Sequence, residues 1–237
     1  MQAVISETEW VSSNAKAIRF IEPSGGVFSP APPGSHIKVA LSAEEKGSPF
    51  SLTSPPAGEP GYEVVVTQGA GAGAVSRWLL EEAGPGKAVE ITRPRCGLPR
   101  AQEADHHVLV AGGMGVTAFL AHMAAFRTAG ASYELHYAVR SRSEAIRLRE
   151  LQSAHPGRVQ CYPADEGFRL RVAERVRRAP AGSHFYVCGP PRLTQEVVDA
   201  AFEVGWPSES VHWDRFGWQP EEPRSGLAEG WARPVEA

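Results

Sequence analysis

The sequence predicts a β-barrel followed by an α/β domain. Up to about residue 100, short alternating segments are separated by turns rich in Gly, Pro and Ser, which is typical of a small antiparallel barrel. Beyond Pro99, strand-like and helix-like segments alternate, which is typical of a parallel sheet covered by helices on both faces. Two of the later strands run directly into glycine turns, at 108–115 and at 185–191.

The barrel is predicted from about six short strands and one helix. Each strand alternates apolar and polar residues, as expected of a sheet with one buried face. A polar turn at 12–14 divides the first alternating stretch, and Pro55 and Pro56 end a later strand. The strands are predicted within 3–21 on either side of the turn and at 34–41, 49–54, 62–67 and 88–91, and the helix at 76–82.

The second half of the chain is predicted to alternate strand and helix from about residue 108. Strands are expected at 108–111, 133–139, 159–162, 184–188 and 211–216, with helices up to about 128 and near 143–151, 170–178 and 193–204. The change of pattern sets the domain boundaries. We expect a barrel domain at 1–100, an α/β domain at 101–218 and a loosely held tail at 219–237 that is rich in Pro, Gly and Glu.

Composition excludes several classes of protein. The 237 residues are 42% hydrophobic and 22% charged with a net charge of −3, which gives no sign of a nucleic-acid partner. No apolar run approaches the roughly 20 residues of a membrane helix. The first residues lack the basic start and apolar core of a signal peptide, so a cytoplasmic location is expected. Cys96, Cys161 and Cys188 are too few for a four-cysteine cluster and the histidines are scattered, so no metal site is predicted.

The glycine turn after the strand at 108–111 is the strongest single signal. Gly112, Gly113 and Gly115 let the backbone approach a ligand, and the following helix offers free N–H groups to a phosphate. A tight strand-to-helix turn without a ligand is the alternative, since G-x-G-x-x-A alone is weak. The second glycine turn, at 185–191, favours a site. Two turns at the carboxyl ends of parallel strands would form the two lips of one nucleotide-binding crevice.

Nine short segments add a more specific pattern. They are P-G-S-H-I at 33–37, F-S-L-T at 50–53, S-R-W-L at 76–79, P-R at 94–95, the glycine turn with Thr117, A-V-R-S-R at 138–142, Y-V-C-G-P at 186–190, G-W-P at 205–207 and V-H-W-D-R-F at 211–216. In this order they resemble the ferredoxin–NADP reductase superfamily, specifically its phthalate dioxygenase reductase and vanillate demethylase reductase branch. The resemblance covers residues 1–218.

The resemblance implies an antiparallel Greek-key flavin-binding barrel followed by a Rossmann-like nucleotide-binding domain. It implies an NAD(P)H-dependent flavin reductase subunit of a multicomponent oxygenase or demethylase, in which hydride passes to flavin N5 and electrons leave singly. The flavin of this branch is usually FMN, and a ferredoxin domain usually follows. This sequence ends soon after Phe216 and its tail has no cysteine. The acceptor is therefore expected to be a separate iron–sulfur or haem subunit in a hetero-oligomer.

The flavin motif of the family, Arg-x-Tyr-Ser, is altered in this sequence. Its place is taken by Ser48, Pro49, Phe50 and Ser51, and a serine cannot replace a guanidinium that pairs with phosphate. Phe50 can still stack on the ring, and Ser51 keeps a hydroxyl for its reactive edge. The phosphate is expected on N–H groups of the turn at 71–76, with weaker binding than in relatives. The residues assigned to the flavin are Phe50, Ser51, Leu52, Thr53, Gly71, Gly73 and Ser76.

The nucleotide is assigned to the two glycine turns and to one basic loop. Thr117 and Cys188 are expected beside the nicotinamide, where with Ser51 they would line the hydride path without acting as nucleophiles; a helix cap and a small core residue are the alternatives. The arginines of the loop favour the 2′-phosphate of NADPH, with NADH left open. The assigned residues are Gly112, Gly113, Gly115, Thr117, Arg140, Ser141, Arg142, Cys188, Gly189, Pro190 and Phe216.

Two other functions remain open from the sequence. Ser48 in place of the arginine motivates a subunit that keeps the fold, has lost its flavin and serves as a scaffold. An electron-transfer subunit of a dehydrogenase shares the same domain plan, although such subunits usually bring their own cysteine cluster. The colour of the protein separates the first alternative from the reductase, because a flavoprotein is yellow.

Overall fold

The computed structural model describes residues 1–53, 61–69 and 73–214. Gly71, Phe216 and the predicted tail at 219–237 lie outside the described residues. The chain divides into two compact units, Met1–Pro99 with Thr117–Ala124, and Arg100–Val116 with the chain from Ala125 onward.

The first unit is built on one antiparallel sheet. Its elements are β1 (Gln2–Ser12), β2 (Ala15–Ile21), β3 (Ser35–Ala40), β4 (Ser48–Ser51), β5 (Tyr62–Thr67), α1 (Ala74–Glu81), β6 (Ala88–Ile91) and β7 (Arg95–Cys96). The strand order is β4-β3-β6-β1-β2-β5, with β7 beside β3. A bridge between Leu52 and Val64 joins the two ends of this order, and the Thr53 amide donates to the Glu63 carbonyl at 2.9 Å. The sheet therefore returns on itself in the Greek-key manner of a barrel.

The predicted alternation gives the barrel its core. Ile5, Ile18, Phe20, Ile37 and Val64 are fully buried and belong to one hydrophobic cluster. Burying a side chain of this size stabilises the fold by about 1.5–3 kcal/mol. The alternating pattern, read as strands with one buried face, is confirmed.

A buried lysine closes one end of α1. The Lys16 ammonium on β2 donates to the carbonyl oxygens of Leu80 and Ala83 at 3.1 and 3.0 Å. Lys16 is only 8% exposed, and burial lowers its pKa. Carbonyl groups at a helix carboxyl end have no partner within the helix, so this side chain satisfies them and fixes α1 on the barrel.

The second half of the chain forms a five-stranded parallel sheet. Its elements are β8 (His106–Gly112), α2 (Thr117–Thr128), β9 (Tyr133–Val139), α3 (Leu148–Ala154), β10 (Val159–Pro163), α4 (Val172–Arg178), β11 (Ser183–Cys188), α5 (Pro191–Val204) and β12 (Val211–Trp213). The strand order is β10-β9-β8-β11-β12. From β8 the next strands are added toward one edge of the sheet, and from β11 they are added toward the other, so the strand order switches between β8 and β11. Ligands of such sheets bind at the carboxyl ends of the strands at this switch point. Within the described residues, no helix is both long and apolar enough to cross a membrane.

One face of the parallel sheet is covered by α4 and α5. Val108, Phe185 and Val187 of the sheet share a buried cluster with Val176 of α4 and Val197 of α5. These strands are apolar on the face that the helices cover, which is why the sequence shows short apolar runs there. The predicted parallel α/β class is confirmed.

Two elements differ from the sequence prediction. The helix predicted near 143–151 is split into a 3₁₀ turn at Arg142–Glu144 and α3, which begins only at Leu148. Arg147 has a φ of 49°, a left-handed conformation that interrupts a right-handed helix. The two-residue strand β7 was not predicted, because it is defined by its pairing with β3 and not by a local pattern.

Candidate functional site

The two glycine turns interlock at the carboxyl ends of β8 and β11. A Cβ at Gly115 would lie 2.0 Å from the carbonyl oxygen of Cys188, and one at Gly112 would lie 2.6 Å from Cδ of Pro190. A Cβ at Gly189 would come within 2.9 Å of the Gly112 backbone. The turns can pack this closely only because these positions carry no side chain. The structure thus brings together five of the residues assigned to the nucleotide.

Gly113 forms an open cradle beside this contact. It has a φ of 54°, is exposed, and nothing lies within 4 Å of the position of a Cβ. A 3₁₀ turn at Gly113–Val116 leads into α2, and the start of α2 has no side-chain cap. The backbone N–H groups at the start of α2 therefore have no capping side chain, and Thr117, the first residue of α2, is 6% exposed. Open space beside the start of a helix is the kind of place in which a phosphate binds.

The Cys188 thiol is held in its neutral form. Burial, with a smaller contribution from the charge of Asp214, raises the pKa of this thiol to about 12. Asp214 follows β12, and its amide donates to the carbonyl of Val187 at 3.4 Å. A neutral thiol is a weak nucleophile, so Cys188 can shape the crevice but is unsuited to covalent catalysis at neutral pH.

The basic loop after β9 is tied to the turn after β10. Arg142 donates from Nε and Nη2 to the two carboxylate oxygens of Glu166, at 2.9 and 2.8 Å. The Asp165 amide donates to the carbonyl of Arg140 at 3.0 Å, and Ser141 shares a hydrogen bond of 2.9 Å with the Ser143 hydroxyl. Hydrogen bonding to Arg142 lowers the pKa of Glu166. The basic loop therefore carries an ionised carboxylate beside its guanidinium.

Glu166 was missed at the level of the sequence. The residues that directly follow the second strand of the α/β domain, 140–143, contain no acidic side chain for a ribose hydroxyl. The carboxylate comes instead from a 3₁₀ turn at Ala164–Glu166, one strand further along the chain. The signal that could have found it is the D-E-G sequence at 165–167, because the carboxyl ends of neighbouring parallel strands meet at one edge of the sheet.

The segment assigned to the flavin is buried in the first unit. Phe50, Ser51, Leu52 and Thr53 are 8%, 7%, 7% and 1% exposed. Phe50 lies opposite Ile37 across β3 and β4 and belongs to the barrel core. The Thr53 hydroxyl donates to a carboxylate oxygen of Glu63 at 2.7 Å. These four side chains are directed mainly toward protein, so their contact with a flavin stays a prediction.

The amino end of α1 is the part of the first unit that fits an anion. Gly73, at the N-cap, is exposed with an extended backbone, and nothing lies within 4 Å of the position of a Cβ. No side chain caps this helix, and Ser76 in its first turn is partly exposed. Uncapped N–H groups beside open space fit a phosphate. Gly71, assigned to the same turn, lies outside the described residues.

Comparison with known proteins gives this arrangement a context. A family model described as the N-terminal domain of "Dimethylamine monooxygenase subunit DmmA-like" proteins matches residues 92–211. The carnitine monooxygenase reductase subunit of Acinetobacter baumannii is 33% identical over 214 residues, which cover 90% of this chain and 67% of that protein. The chain thus spans about two thirds of the length of this curated relative.

Two solved structures share the fold over nearly the whole chain. An intact type IV self-sufficient cytochrome P450 monooxygenase is 30% identical with a TM-score of 0.85, over 93% of this chain and 28% of that one. Phthalate dioxygenase reductase is 24% identical with a TM-score of 0.82, over 90% of this chain and 67% of that one. Both similarities extend across the barrel and the parallel sheet.

Proposed function

Because this chain belongs to the family of oxygenase reductase subunits and contains a DmmA-like domain, we propose that it is the NAD(P)H-dependent flavin reductase component of a multicomponent oxygenase or demethylase. The observation that carries the proposal is the pair of interlocked glycine turns at the point where the parallel sheet reverses. We assign the flavin to a domain at 1–100 and the nucleotide to a domain at 101–218.

The nicotinamide dinucleotide would bind along the carboxyl ends of β8, β9 and β11. Its phosphates would rest on the N–H groups at Gly113 and the start of α2. Its adenosine ribose would reach the loop of Arg140, Ser141 and Arg142 after β9. Pro190 and Gly189 would form the second lip, and Cys188 would border the nicotinamide with a neutral side chain. NADPH and NADH both fit the phosphate cradle.

FMN is the flavin that we propose for the first domain. Its single phosphate would take the uncapped amino end of α1, where Gly73 and Ser76 leave room for an anion. Lys16 would hold the other end of this helix in place. When bound, the flavin supplies the chemistry that the side chains lack, since it accepts a hydride and releases electrons singly. Ser51 and Thr117 remain our candidates for residues near the reacting atoms.

The electron acceptor would be a separate subunit with an iron–sulfur or haem centre. The name of one similar protein supports this, since it is the reductase subunit of a monooxygenase. Among the described residues, the three cysteines form no disulfide with one another. We propose a hetero-oligomer in which this chain takes hydride from the nucleotide and its partner oxidises the substrate.

The phosphate cradle provides a matched test. We would reconstitute the protein with FMN and measure NADH- and NADPH-dependent reduction of ferricyanide in Gly113→Leu and Gly130→Leu variants. Both glycines are exposed, have positive φ and have open space at the Cβ position, but Gly130 lies in the turn between α2 and β9. We expect KM for the nucleotide to rise at least about tenfold only in Gly113→Leu, because its side chain fills the cradle. Equal KM values in the two variants would contradict a nucleotide at this turn.

A further inference from the structure

We propose that the Arg142–Glu166 pair selects the nucleotide by its ribose, admitting the 2′-hydroxyl of NADH and rejecting the 2′-phosphate of NADPH. The inference rests on the proposed function, because it requires a nicotinamide dinucleotide along the carboxyl ends of β8 and β9. It reverses the preference that the arginines of this loop suggest when the sequence alone is considered.

The pair lies where the ribose of a dinucleotide is expected. Arg142 follows β9, the strand that pairs with β8 and its phosphate cradle. Glu166 follows β10, which pairs with β9 on its other side. A backbone hydrogen bond of 3.0 Å from the Asp165 amide to the Arg140 carbonyl joins the same two turns. The turn that carries Glu166 is therefore held beside the loop after β9 by two independent contacts, one through side chains and one through the backbone.

The two parallel donors with which Arg142 would bind a phosphate are already given to Glu166. Arginine binds phosphate best through two parallel N–H groups, and Arg142 gives two such groups to Glu166 at 2.9 and 2.8 Å. A 2′-phosphate could take these two parallel N–H groups only by separating the pair, and on the remaining N–H groups of Arg142 it would still lie beside the Glu166 carboxylate. In both positions it would meet a group of the same charge, which disfavours the complex.

A free 2′-hydroxyl, unlike a 2′-phosphate, can donate a hydrogen bond to the Glu166 carboxylate. An ionised carboxylate only accepts hydrogen bonds, and each oxygen can accept more than one. Glu166 can therefore accept a bond from a 2′-hydroxyl while it keeps Arg142. The hydrogen bond to Arg142 lowers the pKa of Glu166, so the carboxylate stays ionised at neutral pH. Arg142 in this arrangement is a positioning residue for the acidic side chain.

Adenosine fragments test the inference without flavin chemistry. We would measure by calorimetry the Kd values of 5′-AMP, which has a 2′-hydroxyl, and of 2′,5′-ADP, which has a 2′-phosphate. The wild-type protein should bind 5′-AMP at least about tenfold more tightly, and Glu166→Gln should reverse or remove this preference. Adding Arg142→Ala to Glu166→Gln should abolish the gained affinity for 2′,5′-ADP, because the freed guanidinium is its source. The ratio of kcat/KM for NADH to that for NADPH should follow the same order.

A second ion pair provides the control. Glu150, exposed on α3, pairs at 2.8 Å with Arg147, the partly buried residue that precedes this helix. Glu150→Gln removes the same charge from a different element. This variant should leave the preference unchanged. Tighter binding of 2′,5′-ADP by the wild-type protein, or an unchanged preference in Glu166→Gln, would overturn the inference while nucleotide binding still stands. If neither the fragments nor NADH binds, the proposed function itself fails.

Discussion

A Cβ added to Gly115 would lie 2.0 Å from the carbonyl oxygen of Cys188. This oxygen belongs to the backbone, so it cannot move aside as a flexible side chain would. Gly115 is therefore the position at which the turn after β8 packs directly on the turn after β11. The same contact lies at the edge of the sheet that we assign to the nucleotide.

We predict that Gly115→Ala both destabilises the protein and weakens nucleotide binding. The overlap with Cys188 should cost about 1–3 kcal/mol of unfolding free energy, as overpacking usually does. Urea unfolding measures this change. Gly84→Ala is the control, because nothing lies within 4 Å of its Cβ position and its φ is not positive. Equal stability of Gly115→Ala and the wild type would show that the turns do not pack as described.

Cys188 should resist alkylation near neutral pH. With a pKa of about 12 in place of 9.0, the thiolate fraction at about pH 8 is on the order of a thousandfold lower than in a free cysteine. Iodoacetamide labelling, mapped by mass spectrometry, should show a rate that rises about tenfold per pH unit up to about pH 10. A rate that levels off below about pH 9 would mean that the site stabilises a thiolate, as a nucleophilic cysteine requires.

Removing the Lys16 ammonium should loosen α1. Lys16→Met leaves the carbonyl groups of Leu80 and Ala83 without their donor and should cost about 1–3 kcal/mol. If α1 holds the flavin phosphate, the Kd for FMN should rise as well, which fluorescence quenching measures. Lys46→Met is the control, since Lys46 is exposed in the turn before β4. Unchanged FMN affinity with lowered stability would separate the structural role of Lys16 from the assigned binding site.

A half-buried carboxylate on β9 should make stability depend on pH. Glu134 faces His106 and His136 at 3.9 and 3.2 Å, and these two rings hold its pKa well below the usual range. A lowered carboxyl pKa adds stability above the unfolded value of about 4.3, and this stability is lost as the pH falls toward the folded value. Glu134→Gln should therefore be less stable by about 1–2 kcal/mol at neutral pH, with a difference that shrinks in acid.

Urea unfolding between about pH 3 and pH 7 checks this prediction. Glu150, the exposed partner of Arg147, provides the comparison. Glu150→Gln should change the free energy of unfolding by less than about 0.5 kcal/mol. A Glu134→Gln deficit that is constant across this range would mean that a packing change, and not the charge of Glu134, causes it.

Local sequence patterns were sufficient to predict the fold class and the family. Alternation predicted the barrel strands, and the glycines after two later strands predicted two turns at one edge of the parallel sheet. Ordered motifs predicted the ferredoxin–NADP reductase superfamily. The fold class and the family are confirmed. The predicted domain boundaries and the individual site residues stay predictions.

Features that depend on distant parts of the chain were not predicted. The pairing of Arg142 with Glu166 joins two turns 24 residues apart, and Lys16 caps a helix more than 60 residues away. The burial of Phe50 follows from its register opposite Ile37, which no local pattern sets. These contacts are decided by which strands are neighbours, and a single sequence does not display that directly.

The absorption spectrum of the purified protein, from about 300 to 600 nm, tests the central claim most directly. It should be recorded after incubation with FMN and removal of excess, before and after anaerobic addition of NADH. A reductase should show flavin bands near roughly 370 and 450 nm that bleach on addition, because the cofactor carries the redox chemistry. A protein that stays colourless after incubation with FMN would contradict the reductase function and would favour a scaffolding subunit that has lost its flavin.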